Sequence, residues 1–233
     1  FGYNFEINSS TALLVANDKS ATSDLLSIND VSNVEHKLFL NPSLSHYVGQ
    51  NGTWINIINY AKKRDYQLVA KATSGTGGNN VFKIHSANEL EKAVHKLFSK
   101  NRSLCLSPLY SIKNEYRIVV LEEKAELVYK KQIPHIVGNG KNTILELLLE
   151  KFKDSEVSNA MIDFATQFDT SVILPQNEKL LLNWQHNLGK GAKPELIETE
   201  HLKNKLANLA KKATQAIQIN FASVDIIETN DNQ

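Results

Sequence analysis

The stretch VAKATSGTGGNNVFKI, residues 69–84, decides how this chain is read. Apolar, strand-like runs flank Gly75-Thr76-Gly77-Gly78, four residues with almost no side chain between them, and Lys71 stands just upstream. Bare backbone beside a cation suits an anion such as phosphate, because amide N–H groups can approach oxygen atoms closely. Two phosphate loops are excluded by spacing. The nearest match to Gly-x-x-x-x-Gly-Lys-Ser/Thr ends in Gly140-Lys141-Asn142, with Asn142 in the hydroxyl position and His135 in place of the first glycine. A dinucleotide fingerprint would need a glycine where Asn80 stands, and a helix rather than a strand after it. A glycine flap on a β-hairpin, folding over a polyphosphate, remains. So does a plain surface hairpin with a solvated lysine.

Composition narrows the classes. The 233 residues are enough for one large domain or two small ones, and 42% apolar against 22% charged residues is the balance of an ordinary globule. A net charge of +1 gives no overall field toward nucleic acid or an anionic membrane, so an anion must be held by a local site. Cys105 is the single cysteine, which rules out an internal disulfide and fits a reducing compartment. No run approaches the ~20 apolar residues of a membrane span. The opening FGYNFEINSS lacks the pattern of a signal peptide, and the Asn-x-Ser/Thr matches at Asn8, Asn51 and Asn101 are expected by chance in so Asn-rich a chain. The expectation is a cytoplasmic protein with neither nucleic-acid nor membrane partners.

Periodicity supplies the elements. A short helix is expected over 18–28 with Leu25 and Leu26 inward, a strand over 36–40, and a helix capped by Thr53 that buries Trp54, Ile57, Ile58 and Ala61. Strands at 66–72 and 81–85 flank the glycine turn. Ser86 and Glu89 form a capping box for a helix to Phe98, and Thr143 and Glu146 form a second. A strand from Ser103 meets Pro108, an edge or hinge signal. Residues 115–123 and 125–133 read as an antiparallel pair, 138–140 as a turn, and the stretch through Met161, Phe164 and Phe168 as helix. A strand at 180–184, a helix from Thr199 to Ile217 with Leu202, Leu206, Leu209, Ala213 and Ile217 inward, and a strand at 221–228 complete the pass. Helix and strand mix without steady alternation, so the class is α+β, with a boundary near Ser107–Pro108.

In order along the chain, DKSATSDLLSI (18–28), LVAKATSGTGGNNVFKI (68–84) and LCLSPLYSIKNEYRIVVL (104–121) together resemble the ATP-grasp superfamily. KKQIPHIVGNGKNTILELL (130–148) resembles its branch containing cyanophycin synthetase, bifunctional glutathione synthetase and RimK-type ligases, and NWQHNLGKGA (183–192) and FASVDIIE (221–228) match later segments. The resemblance implies an ATP-grasp fold of two α+β subdomains with a nucleotide cleft between them. The expected division is a leading segment over 1–30, a smaller subdomain with the flap over 31–107, and a larger one over 108–233, truncated at its C-terminal end.

The same resemblance assigns roles. Lys19 and Lys71 would contact the phosphates of ATP, Gly75, Thr76, Gly77 and Gly78 would form the flap, and the hinge from Leu106 to Leu109 would meet adenine. Family members often carry Glu or Gln where Ser107 stands, so there the contact would be backbone; Leu109 ends that hinge. Glu115 would bind ribose hydroxyls, for which a carboxylate is a good double acceptor. Arg117, on the same strand face as Glu115, and Lys131 would meet phosphate or a carboxylate substrate, or stand solvated. Asn187 would lie beside the phosphates, with Asn183 where related branches have arginine. Asp225 would bind Mg2+, its usual Glu-x-Asn partners falling beyond Gln233 and an amino-terminal domain before Phe1. The activity implied is an ATP-dependent carboxylate–amine ligase working through an acyl phosphate on small-molecule carboxylate and amine substrates. A nucleotide-binding module without turnover and a phosphotransferase stand as alternatives, and a homo-oligomer is left open.

Overall fold

The glycine hairpin lies on one side of a four-stranded antiparallel sheet, in a computed structural model that describes residues 7–75, 77–78, 80–151, 169–182, 184, 186, 188 and 192–230. Two helices come first, α1 (Ser10–Asn17) and α2 (Lys19–Ile28). Asp18 caps α2 by accepting from the amides of Ser20 and Ala21. The inward side of α2 differs from the expected one: Ser20 and Ser23 are buried, whereas Leu25 and Leu26 are half-buried. The small lobe then forms from β1 (Lys37–Leu40), α3 (Ser45–Val48), α4 (Trp54–Lys62), β2 (Leu68–Ala72), β3 (Val81–Ile84), α5 (Ala87–Phe98) and β4 (Ser103–Pro108). Strand order is β1-β4-β2-β3.

Alternation along these strands separates two faces. Phe39, Leu68, Ala70, Ile84, Leu104 and Leu106 pack under α4 and α5, joined by Ile57, Ala61, Leu90, Val94 and Leu97. Each buried Leu, Ile, Val or Phe among them contributes about 1.5–3 kcal/mol. Val69, Lys71, Lys83, Cys105 and Ser107 take the opposite face, because Lys71 stands across from Cys105 and Val69 across from both Ser107 and Lys83. Thr53 does not cap α4 with its side chain; its hydroxyl donates to the Gln50 carbonyl, and Trp54 stays partly exposed. Pro108 is the last residue of β4, an interior strand, so its missing N–H falls where the ladder ends.

The large lobe is a second antiparallel sheet. It contains β5 (Ile112–Leu121) and β6 (Lys124–Gln132), then β7 (His135–Val137), α6 (Ile144–Lys151) and β8 (Lys179–Leu181), which form a small satellite. β9 (Lys193–Leu196), α7 (Glu200–Ile217) and β10 (Phe221–Thr229) finish it, with sheet order β10-β5-β6-β9. Tyr116, Ile118, Val120 and Val128 pack against Leu206 and Ala210 of α7. The other face presents Glu115, Arg117, Tyr129, Lys131 and Asp225, as the register of Asp225 opposite Arg117 and Arg117 opposite Tyr129 requires. The Thr143–Glu146 box is complete: each residue's amide donates to the other's side chain. In the Ser86–Glu89 box the return bond goes to the His85 amide instead. The helix expected through Met161, Phe164 and Phe168 lies outside the described residues.

Candidate functional site

Two charged faces, one from each sheet, form the candidate site. On the small lobe, the α2 amino terminus meets the flap. The Lys19 amide donates to the Thr73 carbonyl (2.9 Å), and its ammonium donates to the carbonyls of Thr73 (3.3 Å) and Gly75 (3.0 Å). Gly75, Gly77 and Gly78 hold φ of 107°, 79° and 68°, a region that side chains disfavour. A Cβ at Gly75 would meet nothing within 4 Å, so backbone angle rather than crowding calls for glycine there. Thr76 lies outside the described residues.

Lys71 projects from β2 beside Cys105. Burial pushes its ammonium below the usual lysine range, and the neighbouring Lys19 adds to the fall while Cys105 and Glu115 oppose it. Burial likewise depresses Lys19. Burial pushes the Cys105 thiol up to about 11 despite both lysines, so it is a packed neutral group. His36, one residue before β1, is held to about 4 by burial and then by Lys71 and Lys19. Among the described residues Lys71 has neither an ion pair nor a side-chain hydrogen bond. Neither ammonium has an ion pair among the described residues, and two half-buried cations side by side, next to a neutral imidazole and a neutral thiol, suit an anion.

On the large lobe, four charges interlock. Lys131, only 2% exposed, donates to Glu115 Oε1 (2.6 Å) and pairs with Asp225 Oδ1 (2.8 Å). Arg117 forks onto Asp225 through Nε and Nη2, both at 2.8 Å. Burial acts to raise the Asp225 carboxyl, but Arg117 and Lys131 outweigh it and hold the group below the usual carboxylate range. The Asp225 bonds in turn keep Arg117 above the ordinary guanidinium range. Lys131 is therefore no solvated strand residue, and Glu115 is no free strand-end acid. Glu115 also acts electrostatically on Lys71, which links the two faces across the cleft.

The compensation that the sequence reading gave to a metal ion is made at Asp225 by two cations. Among the described residues no three His, Cys, Asp or Glu side chains gather as a metal site. Mg2+ at Asp225 would have to displace Arg117 and Lys131, so this arrangement does not fit the ion. At the hinge, Ser107 is buried, and the Leu109 amide donates to the Gln67 carbonyl (3.0 Å). Asn187 and Asn183 lie outside the described residues. Cavities of about 370 and 550 Å3 lie against α4 and α5, lined by Lys37 and Tyr60 in one and Trp54 and Phe98 in the other, away from the charged faces.

Three contributors had no sequence assignment: His36, Lys83 and Trp184. The Lys83 ammonium lies 4.4 Å from the centroid of the Trp184 ring. His36 sits at an alternate position on the strand edge, a weak signal. Nothing local marks Trp184.

Two α+β lobes with facing charged surfaces and a glycine hairpin on the smaller one make up the ATP-grasp fold. Solved structures agree: the bifunctional glutathione synthetase from Pasteurella multocida (17% identity, TM-score 0.53, 97% of this chain and 31% of that one) and the D-alanine–D-alanine ligase from Bacillus anthracis complexed with ATP (12%, TM-score 0.61, 96% and 55%). In sequence the chain is similar to cyanophycin synthetase of Geminocystis herdmanii (24% identity over 180 residues, 70% of this chain and 20% of the relative). It is similar also to the glutathione biosynthesis bifunctional protein of Clostridium perfringens (24% identity over an alignment of 245 positions, 94% of this chain and 29% of the relative). The resemblance read from the motifs to this superfamily and branch therefore holds. The chain spans between a fifth and three tenths of these two relatives' lengths. No protein-family model matches it.

Proposed function

We propose that this chain is the ATP-binding core of an ATP-dependent carboxylate–amine ligase that forms an amide or peptide bond on an amino acid or peptide. The observation that carries the reading is Lys71: on the strand face away from the small-lobe core, beside Lys19, without an ion pair among the described residues and within electrostatic reach of Glu115 on the large lobe. In this reading Lys71 and Lys19 hold the nucleotide phosphates, and the backbone of Gly75, Gly77 and Gly78 closes over them. Glu115 accepts from ribose hydroxyls once Lys131 yields it, and Lys131 and Arg117 turn toward the transferring phosphoryl group and the carboxylate it activates. ATP supplies the phosphoryl group that makes the carboxylate an acyl phosphate, open to attack by an amine. What the chain contributes is alignment and charge neutralisation, and well-oriented reactants remove about 7–11 kcal/mol of a barrier. No described helix is long and apolar enough to cross a membrane, and a cytoplasmic site of action fits the single buried thiol.

Lys71→Ala should weaken ATP binding roughly 10- to 100-fold by calorimetry, the ~1.5–3 kcal/mol of a charge-assisted contact. Unchanged affinity in a folded variant would overturn the assignment. A second reading, nucleotide binding without turnover, is favoured by one observation: both acids of the large-lobe face are already neutralised by Lys131 and Arg117. Release of ADP with a panel of amino acids would dismiss it; ATP binding without ADP release would select it.

A further inference from the structure

Trp184 joins the two lobes. It lies between two anchors on the large lobe. On one side Leu182 is buried in the satellite core and its amide donates to the Pro134 carbonyl (2.8 Å). On the other, the buried His186 ring bonds through Nδ1 to the Lys131 carbonyl (3.1 Å). Both bonds are to the large lobe. The indole between them is 40% exposed and reaches Lys83 on β3, the strand that leaves the glycine turn. Lys83 faces the cleft side of its sheet, and no carboxylate pairs with it among the described residues. A cation over an indole face is attracted by the ring's negative quadrupole, more strongly as water is excluded.

We infer that Trp184 is a positioning residue: its ring clasps Lys83 and holds the outgoing strand of the glycine flap against the large lobe. The consequence for binding rests on the ATP reading above. The clasp itself is a property of the unliganded protein. His186 fixes the same segment to the residue whose side chain bridges Glu115 and Asp225, so flap position and the charged face are set by one stretch of backbone.

The test compares Trp184→Leu, Trp184→Phe, Lys83→Gln and the double variant Trp184→Leu/Lys83→Gln with the parent, after circular dichroism confirms folding. Amide hydrogen exchange over residues 81–84 is measured without nucleotide, and ATP affinity by calorimetry. Trp184→Leu should speed exchange on β3 and weaken ATP binding about 3- to 10-fold, the scale of one such contact. Trp184→Phe, which keeps a ring face, should recover most of both. Lys83→Gln should match Trp184→Leu, and the double variant should be no worse than either single one. Unchanged exchange in Trp184→Leu, or independent and additive effects in the double variant, would overturn the clasp. If the parent binds no ATP, the functional reading fails while the exchange measurements still decide the clasp.

Discussion

His36 is neutral in the fold because burial, Lys71 and Lys19 all disfavour its charge, taking it to about 4. In the unfolded chain an imidazole titrates near ~6.5. Between those values the unfolded state binds a proton that the folded state refuses, so stability falls as pH drops from about 6.5 toward 4. Urea unfolding at pH 7 and pH 5 should show this loss, and His36→Gln should flatten it. An unaltered pH slope in that variant would remove His36 as the cause. At this scale the sequence was informative where local chemistry is unusual. Lys71 beside four stripped residues stands out locally, and so does Asp225, an acid within a strand, although its partners are Arg117 and Lys131 where the sequence pointed to a metal ion. His36 and Trp184 do not stand out, because each depends on a neighbour more than thirty residues away and neither has a local pattern that names it.

Elements with local signals came through. The glycine hairpin, the reciprocal Thr143–Glu146 box and the β5–β6 pair follow from turn chemistry, capping and alternation. Thr53 failed as a cap because the chain before it offers the Gln50 carbonyl to its hydroxyl. β9 was missed because Lys193-Pro194-Glu195-Leu196 has no apolar alternation; it is exposed and is recruited by β6. The outer strand β1 illustrates a protection that sequence hides. Asn51 accepts from the Leu40 amide (2.8 Å) and donates to the Leu38 carbonyl (3.4 Å), covering backbone groups that an edge strand would otherwise expose. Gly52 lets that loop approach, since a Cβ there would fall 1.5 Å from the Leu40 carbonyl oxygen. Gly52→Ala should therefore cost about 1–3 kcal/mol or more in chemical denaturation. Full stability would mean that the loop can swing off the edge without loss.

Across the whole molecule, the first described residues are tied to the last strand. Asn8 donates to the Phe221 carbonyl (2.8 Å) and accepts from the amides of Asn220 and Phe221, both at 2.9 Å. Its side chain is buried, so Asn8→Ala should lower stability by about 2–3 kcal/mol, roughly one per lost bond. A change under ~0.5 kcal/mol would show that water replaces all three. α1 and α2 also pack on α7, so the segment that delivers Lys19 to the flap rests on the large lobe. During synthesis the strands from 37 to 108 can pair as soon as they emerge, but Asn8 must wait more than two hundred residues for its partners. A nascent chain stalled before Phe221 would therefore carry a formed small sheet while Asn8 still lacked its three partners on Asn220 and Phe221.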